Sequence, residues 1–537
     1  MNLFSFHGHS AHKIFILGSV IVVTLVAFVT LSHPRWIWAY LLVIPVVVLG
    51  LFDLAQKQQA IRRNFPVLGN FRYLFEKVRP EINQYFVESN LDGRPFSREQ
   101  RSLVYQRAKG VTDTIPFGTQ QYVYENNYEW INHSLAPKPI TEKDPRVKIG
   151  GKDCLHPYSA SLFNVSAMSY GSLSRNAVLA LNAGAKKANF YHNTGEGGLS
   201  PHHLEMGGDL VWQIGTGYFS CRNADGTFNE SEFAQKARTP QVKMIEIKLS
   251  QGAKPGHGGI LPAKKVTKEI SEIRGVEMGK DVLSPPWHSA FDSPEGLIRF
   301  VKKLRDLSGG KPVGFKLCVG KKREFLAVVK AILKTNIAPD FITVDGGEGG
   351  TGAAPLEFSN SVGTPLNEGL SFVHQALLGA GLRSEIKVIA SGRILSGFNI
   401  AQKMALGADL CNSARGMLFA LGCIQALKCN TNACPTGVAT QDPELMKGLD
   451  VPDKSTRVAR FHDATIHSFM EVLAATGLSS PNDLRPWHIM RRIGTTEVKN
   501  YEELYGSIEP DCFLKSHPPQ KLARAWTQAQ AESWASL

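Results

Sequence analysis

The chain of 537 residues has few charged residues and lacks the sequence features of several protein classes. Only 20% of its residues are charged, while 43% are hydrophobic. Because disordered chains are rich in charge and poor in apolar residues, this composition excludes a broadly disordered protein. No sequence period of about 20 to 50 residues is present, which excludes a solenoid or a propeller. The length predicts one large α/β domain with additions, or two domains.

The sequence also lacks several motifs that would identify a ligand or a location. The net charge is +13, but the basic residues are dispersed and no nucleic-acid recognition motif is present, so we expect no nucleic-acid partner. No glycine-rich dinucleotide fingerprint follows a predicted strand, so NADPH is not expected to bind. Eight cysteines in a chain without a cleavable signal peptide predict a reducing compartment.

Two uncharged apolar runs lie near the N-terminus, at residues 14–31 and 36–52. Each is just long enough to cross a bilayer. A signal peptide has one apolar core and a small-residue cleavage site, and two runs in series do not fit that pattern. The runs therefore predict a transmembrane helical hairpin over residues 1–56, with a buried pair of core helices as the alternative.

The charges that flank the two runs predict their orientation. Lys13 precedes the first run, Lys57, Arg62 and Arg63 follow the second, and Arg35 lies in the link. Because cytoplasmic flanks carry the excess of Lys and Arg, both ends of the hairpin are expected in the cytoplasm. The sequence thus predicts a two-span protein of the cytoplasmic membrane, with its catalytic domain facing the cytoplasm.

Beyond residue 150, short apolar strands alternate with helical stretches. The eight predicted strands are residues 162–165, 189–192, 244–248, 281–283, 313–317, 341–344, 387–390 and 409–412. Eight such units predict an α/β fold with a closed (β/α)8 TIM barrel rather than an open sheet. We assign the barrel to residues 151–445, a helical segment that packs on it to residues 57–150, and a helical extension to residues 446–537.

Three cysteines follow the last predicted strand at a C-x5-C-x4-C spacing: Cys423, Cys429 and Cys434. Cys thiolates hold iron–sulfur clusters, and a missing fourth ligand is what a three-iron cluster needs. The spacing therefore favours ligation of such a cluster. A disulfide pair and inert core cysteines are the alternatives.

Two polar turns follow the seventh and eighth predicted strands. The first contains Ser391, Gly392 and Arg393, and the second contains Arg415 and Gly416. Barrel enzymes frequently bind a phosphate after these two strands, and the second turn opens a helix-like run whose free N–H groups suit a phosphate. Because loops need glycine in any case, the inference depends on the position of the turns. A phosphate beside a candidate cluster predicts FMN.

Several longer motifs resemble one known family. They are residues 166–174 (SAMSYGSLS), 193–198 (NTGEGG), 246–248 (EIK), 251–256 (QGAKPG), 349–353 (GGTGA), 432–435 (NACP) and 437–442 (GVATQD). Over residues 153–477 the chain resembles the FMN-binding synthase domain of glutamate synthase. The resemblance implies a barrel oxidoreductase with FMN and a three-iron, four-sulfur (3Fe–4S) cluster on the three cysteines.

The resemblance also implies a reaction and residues that carry it. Ammonia or another amine condenses with 2-oxoglutarate, and reduced flavin delivers hydride to the imine carbon. Lys254 and Arg274 match carboxylate-binding cations, since Arg suits bidentate carboxylate binding, and Gln251 matches a hydrogen-bonding partner. Lys248, at the end of the third predicted strand, is expected to polarise the keto oxygen or to contact the flavin. Glu196 is the acid/base candidate.

Further residues are implied for the flavin. In addition to the two turns after strands seven and eight, they are Ala167, Met168, Ser169 and Lys316. Lys316 lies between apolar neighbours in a predicted strand and should be paired. The electron-rich pyrimidine side of reduced flavin is a suitable partner.

Three positions depart from the family's pattern. His257 and Ile260 stand in the substrate-side loop where the family usually has Glu and Gln, and Arg415 lies in an Ala-Arg-Gly turn that replaces Gly-Thr-Ala. Arg415 is therefore expected on the phosphate. The altered loop leaves open another 2-keto acid or another amine, such as methylamine giving N-methylglutamate. A non-catalytic FMN and iron–sulfur redox protein and a cofactor-free scaffold are further alternatives.

The domains of the full enzyme that this sequence does not resemble indicate which partners must supply ammonia and electrons. The sequence shows no counterpart of the glutaminase domain or of the long β-helical domain of the full enzyme. We therefore expect ammonia to come from solution or from a partner. Electrons are expected to enter through the cluster from ferredoxin, a membrane-associated redox protein or a separate flavoprotein subunit.

Overall fold

A computed structural model of the protein describes residues 8–515 and 518–535. Residues 1–7 of the predicted hairpin, and residues 516–517 and 536–537 of the predicted C-terminal extension, lie outside the described residues. The chain divides into two compact units, one that ends at Glu99 and one that begins at Gln100.

The first unit begins with the two apolar runs, which are helical. Helices α1 (Gly8–Ser32) and α2 (Tyr40–Ala55) are joined by a 3-10 turn at Pro34–Ala39. Two stretches, Ala11–Ser32 and Pro34–Ala55, are long and apolar enough to cross a membrane. The predicted pair of helices is therefore present.

The remainder of the first unit is also helical. Helix α3 (Ala60–Asn64) follows α2, and helix α4 (Gly69–Ile82) continues into a π-helical turn at Asn83–Val87.

The second unit is built around a closed barrel of eight parallel strands. In chain order they are β1 (Phe163–Val165), β2 (His192–Asn193), β3 (Leu210–Ile214), β4 (Val242–Lys248), β5 (Val313–Leu317), β6 (Phe341–Asp345), β7 (Lys387–Ser391) and β8 (Leu410–Ser413). Each strand pairs with the next one in the chain, and β8 pairs with β1 to close the barrel. Helices cover the outside of the barrel, which is why its strands are mostly buried apolar runs. The predicted (β/α)8 barrel is confirmed.

Helices make up much of the rest of the second unit, and the first of them begins at Arg98, just before the boundary between the two units. They are α5 (Arg98–Lys109), α6 (Arg175–Lys187), α7 (Pro201–Glu205), α8 (Glu230–Ala237), α9 (Lys268–Arg274), α10 (Pro294–Leu307), α11 (Lys322–Thr335), α12 (Leu356–Ser361), α13 (Leu366–Gly379), α14 (Gly397–Ala405), α15 (Arg415–Leu421), α16 (Pro443–Met446), α17 (Val451–Ala475), α18 (Tyr501–Tyr505) and α19 (Gln520–Gln528). The hydroxyls of Ser174, Ser293 and Ser396 each accept a hydrogen bond from the N–H three residues further on. Each such cap stabilises its helix by about 1 kcal/mol.

The long C-terminal helix α17 packs on α6, the first helix of the barrel. A glycine permits the close approach of the two helices. A Cβ at Gly184 would lie 2.6 Å from Val458 Cγ1. The segment after the barrel is in this way held against its first β/α unit.

One predicted strand is wrong and one barrel strand was missed. Val282–Leu283 pairs antiparallel with Ile260–Leu261 in the long loop after β4, outside the barrel. The barrel strand that the sequence did not indicate is β3, which lies between β2 and β4 and in which every residue is buried. Leu283 is exposed in this antiparallel pair, whereas β3 is a largely apolar run of five buried residues, as expected for a strand covered on both faces. Lys248 consequently ends the fourth strand rather than the third.

A buried ion pair ties together elements at the N-terminal end of the barrel. Arg305 Nη2 in α10 lies 2.9 Å from Asp340 Oδ2, and their side chains are 4% and 1% exposed. Asp340 also accepts hydrogen bonds from the N–H groups of Gly151 and Val313. The carboxylate thus links α10, the start of β5 and the chain segment that enters the barrel.

We expect Asp340→Asn to lower the free energy of unfolding by about 3–5 kcal/mol, because Arg305 keeps an uncompensated buried charge. Urea denaturation of the purified protein measures the change. The matched control is Asp306→Asn, which removes the same charge from an exposed ion pair with Lys302 on the same helix. It should cost less than about 1 kcal/mol. Equal losses in the two variants would contradict the role assigned to Asp340.

Candidate active site

Four predicted catalytic residues meet at the C-terminal end of the barrel. Glu196 follows β2, and Lys248 is the last residue of β4. The two form an ion pair, with 2.7 Å between Lys248 Nζ and Glu196 Oε1. Lys254 in the loop after β4 and Arg274 at the end of α9 lie close enough for their charges to act on Glu196. One carboxylate therefore faces three cations, and we call these four residues the mouth cluster.

Mutual electrostatics set the protonation states of the mouth cluster. Burial alone would raise the pKa of Glu196, but Lys248, followed by Lys254 and Arg274, lowers it below its usual value. Burial lowers the pKa of Lys254 to about 8, against the effect of Glu196 and together with that of Lys248. Glu196 is consequently a carboxylate at neutral pH, and Lys254 changes its charge near pH 8.

Arg274 has hydrogen-bonding capacity that the described residues leave unused. Its Nη2 donates to the backbone oxygen of Tyr170 at 2.8 Å, and its guanidinium lies 5.1 Å from the centre of the Phe219 ring. Its Nε is buried without a hydrogen-bond partner in the described part of the chain. Because a guanidinium binds carboxylates through a planar fork of N–H groups, Arg274 fits an anchor for an anionic substrate.

The fifth predicted catalytic residue, Gln251, contacts a neighbouring loop. Its Nε2 lies 3.4 Å from Thr351 Oγ1, in the loop after β6. The loops after β4 and β6 cross at glycines, since a Cβ at Gly252 would lie 1.6 Å from Gly346 O. Asp345, the last residue of β6, also accepts a hydrogen bond from the N–H of Gly252 at 3.1 Å. The two loops are thus fixed to each other.

A second charged group lies at the ends of β5 and β6. Lys316 Nζ is 3.0 Å from Asp345 Oδ2, and the two side chains are 7% and 10% exposed. Burial alone would lower the pKa of Lys316, but Asp345 and Glu246 raise it above its usual value. Glu246 accepts hydrogen bonds from the side-chain amides of Asn193 and Gln213. The sequence indicated that Lys316 needs a partner but did not single out either carboxylate.

The predicted phosphate-binding residues lie on the same rim of the barrel. Ser391 Oγ, at the end of β7, is 3.1 Å from Ser166 Oγ, just after β1. Arg415, after β8, donates through Nη2 to the backbone oxygen of Glu348 at 2.8 Å. Burial, and after it the positive charge of Arg393, lowers the pKa of Arg415 to about 10. Two guanidinium groups close together after strands seven and eight fit a phosphate, and this donor set agrees with FMN.

The remaining residues predicted to bind flavin are Ala167, Met168, Ser169, Gly392 and Gly416. The first three are partly exposed in the loop after β1. The loop after β2 packs directly on them, because a Cβ at Gly195 would lie 2.6 Å from the backbone nitrogen of Ser169. Gly416 is enclosed as well, and a Cβ there would lie 2.5 Å from Ser413 Oγ.

The three clustered cysteines share one electrostatic environment. All eight cysteines are free thiols, so a disulfide pair is not formed. Burial raises the pKa of Cys423 to about 12, and Cys429 and Cys434 contribute to the shift. Burial would also raise the pKa of Cys434, but hydrogen bonds from the Thr436 hydroxyl and from nearby backbone N–H groups lower it below its usual value. Such donors stabilise a thiolate ligand.

A buried lysine, Lys265, adds a positive charge beside these thiols. Its Nζ donates to the backbone oxygens of Ser172 and Ala439. Burial lowers the pKa of Lys265 to about 8, and Cys429 and Cys434 oppose this shift. Within residues 8–515 and 518–535, no three His, Cys, Asp or Glu side chains already form a metal site. The three thiols, the N–H donors and the lysine nevertheless fit an anionic iron–sulfur cluster. Sequence reasoning missed Lys265 because an isolated basic residue carries no motif.

Two further residues that the sequence did not indicate support Lys248. His288 Nε2 lies 2.9 Å from Lys248 O, and its Nδ1 lies 3.0 Å from the Tyr218 hydroxyl. Burial lowers the pKa of His288 to about 4, so the ring is neutral at pH 7. Because a carbonyl oxygen only accepts, Nε2 carries the proton and the Tyr218 hydroxyl donates to Nδ1. Both residues lie in loops, and their contact joins distant parts of the sequence.

Comparisons with known proteins identify the family of the chain. The family model described as a conserved region in glutamate synthase matches residues 128–479. The glutamate synthase large subunit-like protein YerD of Bacillus subtilis is 37% identical over 90% of this chain and 98% of that protein. An archaeal NADPH glutamate synthase of Methanocaldococcus jannaschii is 38% identical over 67% of this chain and 66% of its own length. Among solved structures, a mandelate oxidase with an FMN adduct aligns with a TM-score of 0.41 at 12% identity, over 80% of this chain and 99% of that one.

The closed barrel and its family match define the chain as a (β/α)8-barrel oxidoreductase. More specifically, the chain belongs to the glutamate synthase family.

Proposed function

We propose that the protein makes glutamate by reductive amination of 2-oxoglutarate through 2-iminoglutarate, with FMN as the hydride carrier and a 3Fe–4S cluster as the electron entry. The observation that carries the proposal is the mouth cluster, in which Glu196 faces Lys248, Lys254 and Arg274 at the end of the barrel where barrel enzymes place their active sites. A surplus of buried cations suits a dicarboxylate substrate.

Each member of the mouth cluster has a role in this reaction. Arg274, through its unused Nε, and Lys254 bind the two carboxylates of 2-oxoglutarate. Lys248 Nζ donates a hydrogen bond to the keto oxygen and polarises it. Glu196, ionised at neutral pH, accepts a proton from the amine as its nitrogen attacks the keto carbon. Return of protons to the departing oxygen releases water and leaves the imine.

The flavin would be held by residues on the same rim. Arg393 and Arg415 would bind its phosphate, and Lys316 would lie near the ring. When bound, reduced FMN supplies the hydride that converts the imine carbon to the amine. Lys316 keeps its proton because Asp345 and Glu246 raise its pKa, so it presents a positive charge to an electron-rich ring.

The cluster would be held by Cys423, Cys429 and Cys434, and it would supply a one-electron entry next to the flavin site. Lys265 and the N–H donors around Cys434 would stabilise its negative charge. Ferredoxin or a separate redox subunit is the proposed electron donor.

The hairpin of α1 and α2 is proposed to anchor the protein in the cytoplasmic membrane by two spans, with the catalytic domain in the cytoplasm. The length and composition of both helices support this proposal, as does the excess of Lys and Arg at the outer ends of the pair.

For the reaction, we expect purified protein with reduced ferredoxin or dithionite to form glutamate from 2-oxoglutarate and ammonium. Its kcat/KM for the keto acid should fall above about pH 8, because Lys254 then loses the charge that attracts the carboxylate. In Lys254→Met, kcat/KM should be about tenfold lower at pH 7 and lack this fall. Lys268→Met, which removes an exposed cation of α9, is the control.

The same assay with a panel of other keto acids and amines, including methylamine, identifies which pair the protein uses as substrates. His257, in the loop that departs from the family's pattern, packs edge-on against Phe358 with 5.3 Å between ring centres. Absence of turnover with every pair of keto acid and amine would contradict the proposed function.

For the cluster, we expect Cys434→Ser to lose most of the protein-bound iron and its EPR signal in anaerobic preparations, because a hydroxyl is a poor ligand for iron in such clusters. The control is Cys512→Ser, which alters an equally buried thiol elsewhere in the chain and should retain the iron. Wild-type iron content in Cys434→Ser would refute the assignment.

For the membrane anchor, we expect the intact chain to remain in the membrane pellet after alkaline carbonate extraction. This treatment releases peripheral proteins, whereas a chain with two apolar spans stays in the bilayer. Mass measurement of the pelleted protein tests whether a signal sequence has been cleaved. Release into the soluble fraction, or a chain shortened past α1, would contradict the two-span anchor.

A further inference from the structure

Helix α4 presents an exposed apolar stripe that its own unit leaves uncovered. Its members are spaced at helical intervals along one face: Phe71, Leu74, Phe75, Val78 and Ile82. Phe71, Leu74, Phe75 and Ile82 are between 44% and 63% exposed. The π-helical turn that follows adds Tyr85, Phe86 and Val87, which are also exposed. Soluble proteins rarely expose an apolar surface of this extent without a partner that covers it.

The opposite face of α4 is polar and charged. It carries Arg72, Glu76, Lys77 and Arg79, of which Arg72 and Glu76 form an ion pair at 2.9 Å. Residues 57–82 contain six Lys or Arg residues and two acidic residues. A helix with one apolar face, one charged face and surplus positive charge is typical of helices that lie in the plane of a membrane surface.

Hydrogen bonds fix the start of α4 to the end of the candidate span α2. Asp53, a buried residue in the last turn of α2, accepts hydrogen bonds through Oδ2 from the N–H of Val67 and from Asn70 Nδ2. Gly69 packs against α3, because a Cβ there would lie 2.7 Å from Arg62 Cα. These contacts fix the position of the first turn of α4. The helix therefore starts beside the cytoplasmic end of α2.

We propose that α4 and its π-helical turn lie in the cytoplasmic surface of the bilayer, with the apolar stripe among the lipid acyl chains and the basic residues at anionic headgroups. The inference rests on the proposed membrane anchor and extends it from two spans to two spans with an interfacial helix. The occupant of the stripe is lipid. Its aromatic residues suit the interface, where rings are enriched, and its basic flank favours anionic lipids.

The test uses the full-length protein in vesicles of phosphatidylethanolamine and phosphatidylglycerol. The photo-crosslinking residue p-benzoylphenylalanine replaces Phe75 on the stripe, Lys77 on the opposite face, or Leu25 in the candidate span α1. After irradiation, mass spectrometry identifies lipid adducts and protein adducts at each position. We expect lipid adducts at positions 75 and 25 and a yield at position 77 that is several-fold lower, because that residue lies at the headgroups rather than among the acyl chains. In vesicles of phosphatidylcholine alone, the yield at position 75 should fall while that at position 25 stays the same.

The outcomes separate the inference from the anchor on which it rests. Lipid adducts at position 25 with none at position 75 would overturn the interfacial helix and keep the anchor. Crosslinks from position 75 to the barrel, or to a second copy of the chain, would show that protein covers the stripe and would equally overturn the inference. Absence of lipid adducts at both positions would overturn both the anchor and the helix.

Discussion

The ion pair between Glu196 and Lys248 is the interaction on which the arrangement of the barrel mouth depends. Three cations that are shielded from water would repel one another, and the single carboxylate among them offsets much of that repulsion. Its negative charge opposes the fall in the pKa of both Lys254 and Arg274. The two residues are 52 residues apart in the sequence. They can pair because β2 and β4 end at the same rim of a closed barrel.

A second layer of charge lies at the ends of β5 and β6. There Lys316 and Asp345 form their own pair, and Glu246 in β4 is held by side-chain amides from β2 and β3. Buried charges are tolerated when they are paired and hydrogen-bonded. Glu196 also acts on Lys316, so the charges of this second layer and those of the mouth cluster interact.

The sequence predicted the fold class and the principal loops, because eight β/α units and their strand ends follow from local patterns. It placed one strand wrongly, since a short apolar pair such as Val282–Leu283 cannot be told from a barrel strand by composition alone. At the candidate site, Glu196, Lys248 and Lys254 lie within motifs and could be named from them, and the family resemblance added Arg274. His288 and Lys265 could not, because each acquires its role from contacts with residues far away in the chain. Residues within a local motif can thus be predicted from the sequence, whereas residues that acquire a role through tertiary packing cannot.

The crossing of the loops at Gly252 and Gly346 limits how such a site can diverge. A side chain at Gly252 would displace the backbone of the loop after β6, because its Cβ would meet the carbonyl group of Gly346. A graft that imports the loop after β4 from a relative must therefore bring the matching loop after β6. New substrate ranges on this scaffold are then expected to arise by paired exchange of both segments, with single point changes confined to positions away from the crossing.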